Sequence, residues 1–156
     1  MPAMPRDAHE LERYILDHIP LARAMALRVA DWDGTRLELV APLDPNVNDK
    51  DCAFGGSLSG LMTLAGWGAT VLRLAAHDID ADVFVARSEI RYLTPLYGDL
   101  RAGAQASADQ DIDAFMHALR TRGRARLRVD AAVAGTEGDA CIQCADFAAR
   151  LRENRD

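Results

Sequence analysis

Positive charge is scarce in this sequence of 156 residues, in which 18 Lys and Arg stand against 24 Asp and Glu. The formal net charge is -6. Because binding to nucleic acid depends on a basic surface that displaces counterions, this balance argues against a general nucleic-acid-binding function. Apolar residues are plentiful at 49%, so we expect a packed core and not a disordered chain.

Long apolar runs, signal sequences and paired cysteines are also lacking. The longest apolar stretch, residues 58–76, is interrupted by three glycines and Arg73, so no run approaches the ~20 residues of a membrane span. The first 14 residues are polar and acidic, unlike a signal peptide. Three cysteines cannot all pair within one chain, which favours a reduced, cytoplasmic protein without a membrane partner. Cys141 and Cys144 should point to opposite faces of a strand, which disfavours a metal site.

Hydrophobic periodicity predicts an α+β protein forming a single domain over residues 1–156. Residues 57–77 are apolar on nearly every side, which indicates a buried helix, with Ser57 as its N-cap. One antiparallel sheet wrapped around this long central helix would bury the apolar surfaces of both, so we expect this arrangement. The other predicted elements are helices at 7–19 and 112–120 and strands at 25–32, 35–41, 82–93, 99–107, 124–134 and 140–149.

Four short motifs together resemble a known family. They are Asn-Val-Asn at 46–48, Ala-Phe-Gly-Gly-Ser at 53–57, Ala-Gly-Trp-Gly at 65–68, and Ser-Glu-Ile-Arg-Tyr-Leu-Thr-Pro at 88–95 followed by Gly98-Asp99. In this combination and order they are similar to the thioesterase family typified by the YiiD C-terminal domain. The resemblance runs from about residue 11 to residue 147 and implies the hot-dog fold.

The resemblance also implies an acyl-thioester substrate and a site at the start of the central helix. There the backbone N–H of Gly56, alone or together with that of Ser57, would stabilise the oxyanion of a tetrahedral intermediate, and the two glycines would let the carbonyl approach. Asn48 stands six residues before Phe54, where an asparagine recurs in this superfamily. It would orient water or the carbonyl, although an asparagine that merely braces its loop is an equal alternative. The family further implies a homodimer or a dimer of dimers, paired through the strand that contains residues 88–92.

One departure affects the expected chemistry. Related enzymes carry a carboxylate seven residues after the second glycine, and here that position is Thr63. A general base must then come from elsewhere, with Asp51 the first candidate and Glu89 the second. The alternatives without a catalytic role are that Asp51 is a solvated loop residue and that Glu89 forms an ion pair with Arg91.

Two functions therefore remain open. The first is a thioesterase acting on acyl-CoA or acyl-carrier-protein thioesters. The alternative is a non-catalytic acyl-thioester binding module. No cofactor is expected beyond the coenzyme A moiety of the substrate itself. Arginines from 122 to 128 form a stripe that is either a solvated sheet face or a contact for coenzyme A phosphates or for an acidic carrier protein. The expected substrate-binding residues are Phe54, Gly55, Ser57, Thr63, Ser88, Arg124 and Arg126.

Overall fold

The computed structural model describes residues 2–153. Six strands in this part of the chain form one antiparallel sheet, in the order β1-β2-β4-β5-β6-β3. The elements are α1 (Ala8–His18), α2 (Pro20–Ala24), β1 (Arg28–Trp32), β2 (Leu37–Ala41), α3 (Gly55–Ala76), β3 (Ala81–Tyr92), β4 (Leu100–Ala106), α4 (Ile112–Arg122), β5 (Arg124–Ala134) and β6 (Asp139–Leu151).

The sheet wraps around α3, which contacts β2, β3, β4, β5 and β6. Strands β4, β5 and β6 turn their apolar positions towards this helix, so the core is a layer of small and branched side chains against α3. The predicted hot-dog fold is confirmed: a long central helix lies within an antiparallel sheet.

The central helix is buried so closely that glycine is required at two positions. A Cβ at Gly66 would lie 2.7 Å from Cε2 of Phe147, and one at Gly68 would lie 2.6 Å from Cδ2 of Leu37. Replacing either glycine would therefore require the Phe147 or Leu37 side chain to shift within a packed core. At 22 residues, α3 is long and apolar enough to cross a membrane, but 61% of its most apolar window is buried within the protein. This is the burial expected of a core helix.

The helix begins earlier than the sequence pattern predicts. It starts at Gly55, its N-cap is Phe54, and no side chain caps it. The prediction that Ser57 is the N-cap is therefore wrong, because the backbone has already become helical two residues before it. Asp7, by contrast, does cap α1, since its Oδ1 accepts a hydrogen bond from the Glu10 N–H at 2.8 Å.

Two further boundaries differ from the sequence prediction. The chain between Pro20 and Ala24 is a short helix, so β1 begins only at Arg28. Arg122 ends α4 and is separated from β5 by Gly123, whose φ of 74° provides the left-handed C-cap. Arg122 therefore does not belong to the strand that carries the other arginines of the predicted stripe.

Strand β3 forms one edge of the sheet, pairing only with β6 among the described strands. A β-bulge interrupts the pairing between Val85 and Arg87. Beyond it, Ser88 and Tyr92 pair with the buried residues Ala145 and Cys141 and share their inner face. Glu89 pairs with the exposed Cys144 on the outer face. An edge of this length with unpaired backbone groups is a surface for pairing with another strand.

Candidate active site

The segment between β2 and α3 is held against the protein at several points. A 3₁₀ turn spans Asp44–Asn46, and Val47 and Ala53 form an isolated antiparallel bridge. Asn46 is 2% exposed, and its Nδ2 donates to the carbonyl oxygens of Met25 and Pro42 at 2.9 and 2.7 Å. These bonds fix the path of the chain as it enters the central helix. Asn46 was not singled out from the sequence, although it belongs to the Asn-Val-Asn motif.

Asn48 uses its side chain chiefly to brace this loop. Its Oδ1 accepts from the backbone N–H groups of Lys50 and Cys52 at 2.8 and 3.2 Å. Its Nδ2 lies 3.3 Å from Cys52 Sγ. Because an amide nitrogen carries two hydrogens, one N–H remains for a ligand. The bracing role expected as an alternative is thus present, and a role towards substrate stays a prediction.

Asp51 lies at the exposed tip of the same loop, five positions before Gly56. Its φ is 61°, in the left-handed region that non-glycine residues seldom adopt. Its carboxylate makes no hydrogen bond or ion pair with another residue in the range 2–153. A carboxylate that is free of partners and open to water can accept a proton, so this geometry is compatible with Asp51 as a general base. That role stays a prediction.

The first turn of α3 presents two backbone donors. Within the described chain, the N–H groups of Gly55 and Gly56 have no acceptor, whereas that of Ser57 donates to the Phe54 carbonyl at 3.0 Å. Free N–H groups at a helix N-terminus, where the helix dipole is positive, favour a developing negative charge on oxygen. Gly55 and Gly56 therefore offer two free backbone donors, whereas the N–H of Ser57, the second donor expected from the sequence, is already engaged.

Aromatic side chains surround these donors. A Cβ at Gly56 would lie 2.4 Å from Cε1 of Phe54, so the ring covers the backbone there. Tyr92 reaches over from β3 and donates its hydroxyl to the Gly55 carbonyl at 3.3 Å. Phe54 and Tyr92 are 55% and 57% exposed, and Tyr97 nearby in sequence is 68% exposed. An exposed apolar rim at the start of a helix is suited to a ligand or a partner chain. Tyr92 was not predicted as a site residue.

A polar cluster lies further along the groove between α3 and β3. Gln143 on β6 is 3% exposed, and its Nε2 donates to Thr63 Oγ1 at 2.9 Å and to Ser88 Oγ at 3.0 Å. The structure thus brings together two of the predicted substrate-binding residues. Gln143 was missed in the sequence, yet a signal was present, because it is a glutamine on the β6 face otherwise occupied by Cys141, Ala145, Phe147 and Ala149.

Glu89 is not brought to this groove. It stands on the outer face of the sheet, opposite Cys144, while Ser88 and Tyr92 on the same strand face α3. Glu89 makes no ion pair with Arg91 or with any other described residue, whereas Arg128 on the same face pairs with Asp109 and Asp146. Within one chain, the sheet separates its carboxylate from the Gly55 and Gly56 donors.

The arginine stripe also lies on the outer face. Arg124 and Arg126 are exposed and make no ion pair among residues 2–153, whereas Arg128 is paired. Arg124 is directly opposite Arg150, and like charges facing each other across two strands are unfavourable unless an anion or solvent separates them. The two unpaired arginines are therefore available to an anion, and their contact with phosphate stays a prediction.

The thiols on β6 are poorly suited to nucleophilic chemistry. Burial raises the pKa of the Cys141 thiol. Partial burial also raises the pKa of the Cys144 thiol, and the Asp130 carboxylate raises it further. Because the thiolate is the reactive form, both remain protonated near neutral pH. Their side chains lie on opposite faces of the strand, as the spacing predicts.

A comparison with known families matches residues 8–150 to the family described as "Putative thioesterase (yiiD_Cterm)". Solved structures share the fold. A protein of unknown function from Chlorobaculum tepidum is 28% identical, with a TM-score of 0.88 over 96% of this chain and 99% of its own. A putative thioesterase from Shewanella oneidensis is 23% identical, with a TM-score of 0.81 over 93% and 97% of the two chains. A thioesterase from Haemophilus influenzae shares the fold at 14% identity, with a TM-score of 0.72 over the full length of both chains.

Proposed function

We propose, since the chain belongs to the yiiD_Cterm thioesterase family, that it hydrolyses acyl-CoA or acyl-carrier-protein thioesters. The observation that carries the proposal is the pair of free N–H groups at Gly55 and Gly56, at the N-terminus of a buried helix. A thioester carbonyl placed against them would gain negative charge on oxygen as water attacks, and the two donors would stabilise that charge.

The acyl thioester would enter over the apolar rim formed by Phe54, Tyr92 and Tyr97. These rings are exposed, and Tyr92 is attached to the helix start through its hydroxyl. Gly55 and Gly56 have no side chains of their own, and the exposed Phe54 ring that covers the Gly56 backbone would turn aside to admit the carbonyl. Arg124 and Arg126, which make no ion pair within residues 2–153, are the proposed contacts for the coenzyme A phosphates or for an acidic carrier protein.

A complete site calls for a second subunit. Thr63 is seven residues beyond Gly56, which is about 10 Å along the helix and on the same face. One carbonyl cannot reach both groups. Antiparallel pairing of two β3 edges would reverse one subunit relative to the other, and would set the Gly56 end of one against the Thr63 end of its partner. A homodimer, or a dimer of dimers, would thus assemble the site and cover an exposed edge.

The oligomeric state is tested by sedimentation at micromolar concentration. The proposal expects a species of at least twice the 17.0 kDa chain mass. A monomer would exclude the site between subunits.

The cellular location is proposed from the cysteines. Three free cysteines favour a reducing compartment, and we propose the cytoplasm on that ground.

Asp51 is the proposed general base and Asn48 the residue that orients water or the carbonyl. Asp51 is chosen because its carboxylate is free and belongs to the loop that leads into Gly55. Loss of a general base costs ~100-fold or more in turnover, so Asp51→Asn should lower kcat by that factor. Glu89→Gln provides the comparison, since Glu89 lies on the outer face. Equal losses from both variants would restore Glu89 as a candidate.

The activity itself is tested by presenting the purified protein with acyl-CoAs of graded chain length and measuring the release of free thiol. Turnover of at least one chain length above the uncatalysed rate is expected.

A second function, binding of acyl thioesters without hydrolysis, is supported by the absence of Asp and Glu from α3. A protein that binds acyl-CoA tightly and releases no thiol would be an acyl-thioester binding module.

A further inference from the structure

The buried amide of Gln143 is only half used by the protein. Its Nε2 donates to Thr63 and Ser88, while its Oε1 is buried and has no hydrogen-bond partner among residues 2–153. Reversing the amide would exchange the two ends, and the hydroxyls would then donate to the oxygen. In either orientation one end of a buried amide is left unpaired, which is unfavourable for folding. A buried polar group kept at such a cost indicates a role other than packing.

We infer that the buried Gln143 amide orients the hydroxyls of Thr63 and Ser88 so that they hold the water that attacks the thioester, and that Gln143 is a positioning residue for this reaction. The inference rests on the proposed hydrolase function. In either orientation the amide engages one side of both hydroxyls, which leaves their remaining hydrogens or lone pairs for a water. Thr63 is half-buried and Ser88 is exposed, so both hydroxyls can be reached from the groove. A bound water requires two to four polar partners, and the two hydroxyls provide two.

The position of the cluster agrees with this role. Thr63 projects from the same face of α3 as Gly56, two helical turns further along. Ser88 lies on the inner, exposed part of the edge strand, four residues from the Tyr92 that contacts Gly55. Each subunit therefore carries oxyanion donors at one end of the groove and the water-binding cluster at the other. In a pair of subunits joined antiparallel through β3, the cluster of one faces the donors of its partner.

The reaction step balances without an added reagent. The water oxygen forms a bond to the carbonyl carbon, and the carbon–sulfur bond breaks to give a carboxylic acid and a thiol. The water proton passes to the proposed base, the Asp51 carboxylate, which then gives it to the departing sulfur. Nothing is oxidised or reduced. Gln143 keeps the two hydroxyls that hold the water aligned, because it touches both Ser88 and Thr63.

The test is Gln143→Leu, with Gln105→Leu on an exposed position of β4 as the matched control. The inference expects Gln143→Leu to lower kcat by at least ~10-fold, with KM within about twofold and a melting temperature no lower than that of the wild type. The control should leave all three unchanged. A structural brace would lower the melting temperature, so a loss of kcat and stability together would overturn the inference.

A second variant keeps the test decisive if Gln143→Leu does not fold. Gln143→Glu retains acceptor atoms for both hydroxyls and adds a titrating group beside the water. We expect the pH profile of kcat to gain a limb that falls towards acid, because a protonated carboxyl cannot accept the water proton. An unchanged profile would overturn the inference. If the wild type hydrolyses thioesters and Gln143→Leu retains kcat, only the inference fails; if the wild type hydrolyses none, the proposed function fails as well.

Discussion

Thr63→Asp is expected to convert a slow thioesterase into a faster one. Thr63 is half-buried on α3, and Gln143 Nε2 already donates to its Oγ1 at 2.9 Å. An aspartate would place a carboxylate against the same N–H, and a hydrogen bond to an ionised acceptor is stronger than one to a hydroxyl. The carboxylate would then stand beside Ser88 and could take the proton of the attacking water.

The size of the effect follows from general-base catalysis, which contributes ~100-fold or more. That factor corresponds to about 2.7 kcal/mol of the activation barrier. The measurement is kcat for one acyl-CoA at saturating concentration, followed by thiol release. Thr63→Asn is the matched control, because it has the same size and lacks the charge. Thr63→Asn should not exceed the wild type.

The result that would refute this reasoning is a folded Thr63→Asp protein that binds acyl-CoA as the wild type does and turns over no faster. Binding can be checked with a non-hydrolysable thioether analogue, and folding by its melting curve. Such a result would mean that the carboxylate is not what limits hydrolysis, and that the reacting carbonyl lies elsewhere.

Three further outcomes are expected. Gly56→Ala should reduce kcat by ~100-fold, because its Cβ would lie 2.4 Å from the Phe54 ring and force that ring out of its place beside the proposed oxyanion donors; Gly98→Ala, with open space around it, is the control, and unchanged turnover in Gly56→Ala would remove Gly56 from the site. Replacing Arg124 and Arg126 with Ala should weaken coenzyme A thioester binding most at low salt, as measured by calorimetry; equal affinity at every salt concentration would make the stripe a solvated face. Iodoacetamide should alkylate Cys144 slowly at pH 7 and faster above about pH 8.5, because its raised pKa keeps the thiol protonated; fast labelling at pH 7, followed by mass spectrometry, would contradict this.

Much of the fold could be predicted because its determinants are local and periodic. Strand β5 runs over the predicted residues 124–134, since its buried and exposed positions alternate. The central helix was recognisable from its apolar composition, but its first residue was not. Helix α3 begins at Gly55 without a side-chain cap, so the usual signal at Ser57 was misleading. The partners of Gln143 lie 55–80 residues away, and one of the two partners of Asn46 lies 21 residues away. A local pattern can mark a polar residue on an apolar face, as it does for Gln143, but it does not reveal which distant groups that residue contacts.

The placement of Glu89 shows why the candidate site could be predicted only in part. Strict alternation from the buried Val83 would put residues 85, 87, 89 and 91 on the inner face of β3. The bulge between Val85 and Arg87 adds one residue to β3 and shifts the alternation, so Ser88 faces α3 and Glu89 faces outward. The position of a bulge depends on how two strands pair, so it cannot be predicted from the sequence of either strand alone. One inserted residue thus replaces a carboxylate by a hydroxyl at the groove, and it is this hydroxyl that Gln143 reaches.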